Sequence, residues 1–464
     1  METLATDVVI LGVGTAGLNA RREVERAGKR WIMVQEGPYG TTCARVGCMP
    51  SKLLIAAADA VHGIGHAELF GVHVDASAVR IDGREVMARV QRERDRFVGF
   101  VLDDQSKLPP ELNVLGHARF VAPTTVVVDD HTRIEARAAV IATGSLPTLP
   151  AELAAAGLGD RLLTNDRIFE LPDLPRSVAV VGVGVIGLEL GQALHRLGVR
   201  TMLLSRRGSI AGLTDPKVRE KAMTIFQKEL HIVCDAALTG AERDGDGVRI
   251  RWRAGGKDYA EHFDYVLAAT GRHPAVADLG LETTGLARDA GGLPLTDPTT
   301  MQCGDAPIFL AGDVAAHRGV LHEAVDEGRI AGRNAARFPE VVASPRRTIM
   351  AVTFSDPNIA LVGLRHADLH PREHAVGEVS FDGQGRSRVA GKNAGLMRLY
   401  GERGTNRLLG AEMVGPRMEH LAHLIAWVIQ QGLAVDEILA LPFYHPVYEE
   451  GLRTGLQDLR RQLG

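Results

Sequence analysis

This chain has few cysteines, a small net charge and no long apolar run. Only four of its 464 residues are cysteine, too few for a disulfide framework, so a close pair is more typical of catalysis or metal binding. A formal net charge of −4 without a Lys/Arg run argues against a nucleic-acid partner. No apolar stretch reaches the roughly 18 residues of a spanning helix, and no positive segment precedes the apolar run at Val8. We therefore expect no signal peptide, no membrane association and a cytoplasmic location.

Two segments of the chain share one glycine pattern. Each places an apolar strand before Gly-x-Gly-x-x-Gly and a helical pattern after it, and a second strand ends 23 residues beyond the first glycine, at Gln35 and at Ser205. This arrangement is typical of Rossmann units, whose glycines let a pyrophosphate approach a helix N-terminus. The pattern predicts two dinucleotide sites. Its glycines are Gly12, Gly14 and Gly17 in the first unit and Gly182, Gly184 and Gly187 in the second.

The rest of the chain completes two nucleotide domains and adds a third domain. Apolar strands ending in Thr143-Gly144 and Thr270-Gly271 close the two units, and strand-like segments with the helix-like run Glu419 to Gln431 follow Arg346. We predict an α/β fold with two Rossmann-like dinucleotide-binding domains and a C-terminal α+β domain. The boundaries are 1–150 with 272–345 for the first domain, 151–271 for the second and 346–464 for the third.

Cys43 and Cys48 lie five residues apart, shortly after the first glycine fingerprint. Zinc binding is one explanation for such a pair, but the chain offers no second close Cys or His pair of the usual spacing, so we predict no metal site. A redox exchange beside a bound dinucleotide is the other explanation. Cys234 and Cys303 are isolated in the sequence, which favours ordinary structural thiols.

Seven motifs occur in one fixed order along the chain. They are the two fingerprints, the two Thr-Gly strands, Cys-x4-Cys-x-Pro-Ser-Lys, Ile308-Phe-Leu-Ala-Gly312-Asp313, and His445-Pro446 with Glu450. Together they resemble the FAD-dependent pyridine nucleotide-disulfide oxidoreductases, the family of dihydrolipoyl dehydrogenase and glutathione reductase. The resemblance covers essentially the whole chain.

The resemblance assigns a cofactor to each nucleotide unit and a dimer interface to the third domain. It implies FAD in the first unit, NAD(P)H in the second, and a homodimer formed through residues 346–464. The implied FAD residues are Gly12, Gly14, Gly17, Gln35, Glu36, Thr42, Lys52, Thr143, Gly144, Gly312 and Asp313. The implied NAD(P)H residues are Gly182, Gly184, Gly187, Glu189, Ser205, Arg206, Arg207 and Gly271.

The same resemblance implies catalytic roles. Cys48 would exchange electrons with the flavin, and Cys43 would be the thiol that meets the substrate. Lys52 and Glu189 match family residues that pair beside the flavin. His445 and Glu450 match an acid/base pair supplied across the dimer interface, in which the carboxylate fixes the tautomer of the imidazole.

Several positions depart from the family pattern. Gln35 followed by Glu36 stands where a ribose-binding Glu is usual, and Thr41 and Arg45 replace a Gly and an Asn near the first cysteine. Ser205-Arg206-Arg207 replaces the acid expected for NAD. Guanidinium groups suit a 2′-phosphate, so NADPH is favoured, with NADH as the alternative if both arginines face water.

Substrate and direction follow from this cofactor preference. We expect electrons to pass from NADPH to a small-molecule disulfide, with Arg22, Arg45 and Arg329 as candidates for binding substrate carboxylates. A dihydrolipoyl dehydrogenase would use the same residues with electron transfer in the opposite direction. A mercuric reductase is disfavoured because the tail Arg453 to Gly464 has no cysteine. A flavoprotein scaffold or redox sensor is the alternative outside enzymes.

Overall fold

The structure is a computed structural model, and it describes residues 1–316, 319–370 and 372–464. Its internal contacts define two compact units. The first contains Met1–Pro50, Gln91–Thr148 and Arg272–Arg346, and the second contains Ser51–Val90, Leu149–Gly271 and Arg347–Gly464. The domain boundaries derived from the sequence differ from these units in detail and stay predictions.

The helices and strands are numbered here in chain order. Up to residue 148 they are β1 (Glu2–Leu11), α1 (Thr15–Arg26), β2 (Trp31–Gln35), α2 (Thr42–Val46), α3 (Cys48–His66), α4 (Gly83–Gln105), β3 (Asn113–Leu115), β4 (Ala118–Ala122), β5 (Thr125–Val128), β6 (Thr132–Ile141) and β7 (Ser145–Pro147). Then come α5 (Ala151–Ala154), β8 (Leu162–Leu163), β9 (Ser177–Val181), α6 (Val185–Arg196), β10 (Arg200–Ser205), α7 (Pro216–Phe226), β11 (Ile232–Cys234), β12 (Ala237–Asp244), β13 (Gly247–Ala254), β14 (Lys257–Phe263), β15 (Tyr265–Ala268) and β16 (Arg272–Pro274). The last are β17 (Ile308–Leu310), α8 (Leu321–Arg337), β18 (Met350–Thr353), β19 (Asn358–Gly363), β20 (His374–Ser380), α9 (Gly385–Val389), β21 (Leu396–Glu402), β22 (Leu408–Gly415), α10 (Met418–Gln430), α11 (Val435–Leu439) and α12 (Glu449–Leu463).

A mostly parallel sheet forms the centre of the first unit. Its strand order is β3-β2-β1-β6-β5-β4, with β17 paired to β6. The end of β1, from Val8 to Leu11, is buried on both faces, as expected for a strand covered by helices on both sides. Leu11 lies in register with Ile141 of β6. The carboxyl ends of these two strands therefore meet at one edge, which is where ligands bind in open α/β sheets.

The second unit contains a parallel sheet of its own, in the order β11-β10-β9-β15-β8. Val181 at the end of β9 pairs with Leu204 of β10 and with Ala268 of β15. A three-stranded antiparallel meander, β12-β13-β14, lies between β11 and β15 in the chain. The second fingerprint thus also lies at the carboxyl edge of a parallel sheet, so both predicted Rossmann units are present.

The C-terminal part of the second unit is an antiparallel sheet with helices. The strand order is β18-β19-β22-β21-β20, and α10 and α12 cover it with buried residues such as Leu421 and Leu456. Helices packed on one antiparallel sheet give the α+β arrangement expected for this region.

One expectation from the sequence, that no stretch of the chain is apolar over the length of a spanning helix, is wrong. The expectations of no membrane association and a cytoplasmic location stay predictions. The helical stretch Thr42–Phe70 is, by length and composition alone, apolar enough to cross a membrane, and little of it is buried. Its apolar residues are interrupted by small and polar ones such as Gly63 and His62, so it does not appear as an uninterrupted run. A single helix of this kind is weak evidence for a membrane.

Candidate functional site

The first glycine fingerprint forms a tight turn between β1 and α1. Gly12 has φ +103°, and a Cβ there would lie 2.3 Å from the Ala142 carbonyl oxygen; a Cβ on Gly17 would lie 1.9 Å from the Gly12 carbonyl oxygen. Gly14 differs, because no atom lies within 4 Å of its Cβ position, and it begins α1 without a side-chain cap. Uncapped amides facing open space fit the pyrophosphate of a dinucleotide.

Gln35 is the last residue of β2, beside this turn, and Glu36 follows it. The Gln35 side-chain oxygen accepts a hydrogen bond from the Val13 amide at 2.8 Å, so Gln35 holds the fingerprint itself. Glu36 accepts from His117 Nδ1 at 2.8 Å, and this bond raises the pKa of His117. The Glu36 side chain is 70% exposed, which leaves oxygen lone pairs that suit a ribose hydroxyl.

Asp313 sits in a polar network within the first unit. Its carboxylate accepts from the Ser145 hydroxyl at 3.0 Å, and that hydroxyl accepts from Arg272 Nε at 2.9 Å. The preceding Gly312 has φ +83°, and its amide donates to Glu327 at 2.8 Å. These bonds hold Asp313 from two sides.

Thr143 and Gly144, just after β6, make a separate contribution to this unit. The Thr143 hydroxyl donates to the Ala275 carbonyl at 2.7 Å, so it stabilises the fold of this unit. Gly144 has φ +76°, and no atom lies within 4 Å of its Cβ position. The backbone at Gly144 therefore has free space beside it, into which a ligand fits.

The second fingerprint repeats the geometry of the first. A Cβ on Gly182 would lie 2.4 Å from the Ala269 carbonyl oxygen, and a Cβ on Gly187 would lie 2.0 Å from that of Gly182. Gly184 begins α6 without a side-chain cap, and the space at its Cβ position is open. Gly271, at φ +109°, is open in the same way. This unit also fits a dinucleotide pyrophosphate.

The end of β10 presents two arginines. The Ser205 hydroxyl is buried and donates to the Ser209 carbonyl at 2.7 Å, so its bonding serves the loop. Arg206 and Arg207 are exposed, and Arg207 adopts the left-handed conformation at φ 57°. That conformation is uncommon for a residue with a side chain. No ion pair to either guanidinium is seen among the described residues.

Cys43 and Cys48 lie on two successive helices of one short segment. Cys43 is half-buried on α2, whereas Cys48 is exposed and is the first residue of α3. Thr41 caps α2 by accepting from the Ala44 amide at 3.3 Å. Gly47 joins the helices, and a Cβ there would lie 3.0 Å from the Thr42 carbonyl oxygen. The glycine lets the chain fold back tightly between the two cysteines.

Two other predicted residues lie in this segment. Thr42 is exposed at the first position of α2. Arg45 donates from Nη1 to the Tyr39 carbonyl at 3.2 Å, a bond that stabilises the loop before α2.

The remaining cysteines lie apart from this pair. Cys303 is buried, and burial raises the pKa of its thiol to about 11. Burial also raises the pKa of Cys234. Both shifts keep these thiols protonated and unreactive near neutral pH. Within the described residues, no group of three or more His, Cys, Asp or Glu side chains is arranged to hold a metal ion.

Lys52 and Glu189 form an ion pair in the second unit. The Lys52 ammonium lies 2.7 Å from the Glu189 carboxylate, which is 4% exposed. The other Glu189 oxygen accepts from the Phe354 amide at 2.8 Å, and the Lys52 ammonium lies 4.6 Å from the centre of the Phe354 ring. Phe354 therefore fixes both partners, the cation through its ring.

His445 and Glu450 also meet. His445 Nδ1 is 2.9 Å from Glu450 Oε1, and the imidazole is 81% exposed. The bond from His445 lowers the pKa of Glu450, and the Val447 amide donating to the same carboxylate adds to this effect. An ionised carboxylate on Nδ1 leaves Nε2 of the imidazole available for proton transfer.

The three substrate-binding candidates are in different situations. Arg22 on α1 pairs with Asp104 on α4 at 3.0 Å. Arg45 is held by Tyr39 as described above. Arg329 is half-buried on α8, and no salt bridge to it is found in the part of the chain that the structure describes.

Comparison with protein families accounts for this arrangement. The model "Pyridine nucleotide-disulphide oxidoreductase" matches residues 6–328, and the dimerisation-domain model of the same family matches residues 349–455. The chain belongs to the pyridine nucleotide-disulphide oxidoreductases. It is therefore an NAD(P)H-dependent FAD disulfide oxidoreductase that acts on sulfur groups.

Individual relatives within the pyridine nucleotide-disulphide oxidoreductases differ in activity. Dihydrolipoyl dehydrogenase of Chlamydia pneumoniae is 30% identical over 96% of this chain and 95% of its own. Mercuric reductase of Bacillus cereus is 28% identical over 97% of this chain and 71% of its own. The structure of HOCl-induced flavoprotein disulfide reductase RclA from Escherichia coli superimposes with a TM-score of 0.78 at 21% identity, over 99% of this chain and 100% of that one. The structural likeness shows the shared fold.

Some residues of this pyridine nucleotide-disulphide oxidoreductase were not expected to matter. They are His117, Phe354, Glu327 and Gly47, each of which contacts a predicted site residue or shapes its segment. Only Gly47 has a sequence signal, since a glycine directly between two short helices indicates a tight approach.

Proposed function

We propose that the protein is an NADPH-dependent reductase of a small-molecule disulfide, working as a cytoplasmic homodimer. The observation that carries the choice of NADPH is the pair of exposed arginines, Arg206 and Arg207, directly after β10. Guanidinium groups bind a 2′-phosphate bidentately, whereas the 2′-hydroxyl of NAD favours a carboxylate acceptor at this position.

Each cofactor has residues suited to hold it. Gly14 at the uncapped start of α1, Glu36 and Asp313 would hold FAD, and Gly184 with the two arginines would hold NADPH. When bound, FAD supplies a two-electron connection between the nicotinamide and the Cys43–Cys48 disulfide.

Substrate reduction is an exchange between sulfur atoms. The Cys43 thiolate attacks one substrate sulfur, forming a mixed disulfide and breaking the substrate S–S bond. The leaving thiolate takes a proton from the imidazolium of the partner subunit's His445, whose orientation the partner's Glu450 fixes. The Cys48 thiolate then attacks the Cys43 sulfur, restores the Cys43–Cys48 disulfide and expels the second substrate sulfur as a thiolate, which takes its proton from solvent.

Dihydrolipoyl dehydrogenase is the second candidate function. It is favoured by the curated relatives of that name, which match over nearly the whole chain. That enzyme would use the same thiols in the opposite direction, passing electrons to NAD⁺.

Steady-state turnover separates the two functions. The purified holoenzyme is given NADPH or NADH with lipoamide or glutathione disulfide, and dihydrolipoamide with NAD⁺ in a parallel assay. We expect disulfide reduction with a higher kcat/KM for NADPH than for NADH. Efficient reduction of NAD⁺ by dihydrolipoamide with little use of NADPH would instead establish the dehydrogenase.

A Cys48→Ser variant tests the route of the electrons. Anaerobic addition of one equivalent of NADPH to the wild type should give a long-wavelength absorbance band from the Cys48 thiolate next to the flavin, and the variant should lack it. Absence of the band in the wild type would favour the alternative of a flavoprotein scaffold or redox sensor.

A further inference from the structure

A cavity of about 550 Å³ lies in the first unit, next to the segment that carries Cys43. Residues of α1 and of the end of α4 line it, together with Thr41, which caps the Cys43 helix. Phe100 on α4 is 60% exposed there and gives the cavity an apolar side. Thr41 is two residues from Cys43, so the cavity lies near the thiol to which the proposed function assigns the substrate.

Four charged side chains line this cavity, and their charges cancel. Arg22 and Lys107 are cations, and Asp103 and Asp104 are anions. A cavity of this composition has no net charge with which to attract a carboxylate. This differs from the expectation that Arg22 serves as a binding group for an anionic substrate.

The contact of Arg22 with Asp104 explains the difference. The Arg22 guanidinium donates to the Asp104 carboxylate at 3.0 Å, and both side chains are half exposed. A substrate carboxylate that reached Arg22 would lie beside the Asp104 carboxylate, and like charges at such a distance repel. The Asp104 carboxylate therefore already occupies the position beside Arg22 that a substrate carboxylate would need.

We propose that Asp104 is a specificity-determining residue that restricts this cavity to disulfides without net charge and disfavours anionic ones. The proposal rests on the proposed function, since it concerns the substrate of the same thiols. Lipoamide is a neutral probe of this class, and glutathione disulfide is an anionic one. A disulfide whose substituent is apolar or zwitterionic fits Phe100 together with the balanced charges.

An alternative role for the pair is to tie α1 to α4, and neutralising each charge alone and both together separates the two roles. Exposed ion pairs contribute little to stability, so Asp104→Asn and Arg22→Gln should both fold. The double variant restores a cavity without net charge although it lacks the ion pair. A structural role predicts that the double variant is the worst of the three, whereas a charge role predicts that it behaves like the wild type.

The experiment measures kcat/KM of the holoenzyme for lipoamide and for glutathione disulfide, with the preferred nicotinamide nucleotide. Asp104→Asn should raise the value for glutathione disulfide by about five- to tenfold, the size expected for one charge at close range in a solvated site. The value for lipoamide should change less than twofold. Arg22→Gln should lower the glutathione disulfide value by a similar factor, and the double variant should return to the wild-type ratio.

Two controls complete the design. Asp130→Asn makes the same charge change at an exposed position outside the cavity, and it should leave the ratio of the two substrates unchanged. Added KCl should reduce the effect of Asp104→Asn, because salt screens exposed charges. An unchanged substrate ratio in Asp104→Asn, with lipoamide still reduced, would overturn the proposal. Failure of every variant and of the wild type to reduce any disulfide would instead overturn the proposed function.

Discussion

The Gly312 amide donates a hydrogen bond of 2.8 Å to the Glu327 carboxylate, which is fully buried on α8. The other oxygen of Glu327 accepts from Arg346 at 3.0 Å, and Arg346 also contacts Glu323. Because Gly312 precedes Asp313 in the chain, this buried ion pair fixes the backbone from which Asp313 extends.

Replacing Glu327 by Gln should destabilise the protein and weaken its hold on FAD. The substitution leaves the Gly312 amide an acceptor but removes one of the charges opposite Arg346. Breaking a buried ion pair costs about 3 kcal/mol, and we expect a smaller loss here because Arg346 keeps its contact with Glu323. Urea denaturation with FAD removed measures the first effect, and fluorescence titration with FAD measures the second. Glu340→Gln, at an exposed position, is the control. Equal unfolding free energies for both variants would contradict the role given to Glu327.

Alanine substitution at two glycines of the first fingerprint should affect different properties, folding at Gly17 and FAD affinity at Gly14. Gly17→Ala places a Cβ 1.9 Å from a backbone oxygen, so we expect it to fail to fold. Gly14→Ala meets no atom within 4 Å, so the protein without FAD should keep its melting temperature. Its FAD affinity should fall at least tenfold, because the Cβ enters the space suited to the pyrophosphate. Unchanged FAD affinity in Gly14→Ala would show that the dinucleotide lies elsewhere.

The double variant Arg206→Ala/Arg207→Ala should discriminate against NADPH. Loss of two guanidinium groups removes charge-assisted bonds to the 2′-phosphate, each contributing about 1.5–3 kcal/mol. The KM for NADPH should rise by at least tenfold, and that for NADH by less than twofold. Arg219→Ala, an exposed arginine on α7, provides the control. An equal loss with both nucleotides would remove the argument for NADPH.

The pH–rate profile of disulfide reduction should show no transition from ionisation of Glu450 near neutral pH. Its pKa lies below the ordinary value of 4.5, so the bond to His445 is complete above that value and is lost only as the pH falls through the lowered pKa. His445→Gln should reduce kcat by about 10²- to 10⁴-fold, the usual contribution of a general acid or base. Glu450→Gln should have a smaller effect, on the order of tenfold.

The neighbouring Glu449→Gln is a matched control for the Glu450 variant, and it should retain wild-type activity. Anaerobic reduction of the enzyme by NADPH should be normal in all three variants, because the imidazole acts only on the substrate thiol. A pH–rate profile of the wild type with a transition at Glu450 between pH 6 and 8, abolished in Glu450→Gln, would contradict this assignment.

Alkylation should distinguish the cysteines. At pH 8 the buried Cys303, with a pKa of about 11, has about one thiol in a thousand ionised, so iodoacetamide should not modify it in the folded protein. After reduction by NADPH, Cys43 should be alkylated rapidly and activity lost. Peptide mass spectrometry after timed labelling measures both, with urea-unfolded protein as the reference. Rapid labelling of Cys303 in the folded state would show that its segment opens readily.

Local patterns in the sequence determine a large part of this fold. The helix expected from Glu419 to Gln431 is α10, from Met418 to Gln430, because its apolar residues follow the helical period. The fingerprint turns were also predictable, since only glycine accommodates 1.9–2.4 Å approaches of a Cβ position to backbone oxygen.

Contacts between distant segments could not be predicted in the same way. Asp104 is 82 residues from Arg22, and Phe354 is 165 residues from Glu189. Such pairs depend on how helices and loops pack, and a charged residue on a helix gives no signal of its partner. The sequence therefore named Arg22 and Glu189 without their neutralising or orienting partners, and the properties of the site depend on those partners.

The two glycine fingerprints impose almost the same spacing on the backbone, with Cβ positions 1.9 and 2.0 Å from an oxygen at Gly17 and Gly187. Turns of such similar geometry offer a pyrophosphate the same contacts. The two units differ instead at the end of the second strand, where Gln35-Glu36 stands in one and Arg206-Arg207 follows in the other. Under the proposed function, the choice between a ribose hydroxyl and a 2′-phosphate therefore depends on these short segments and not on the glycines.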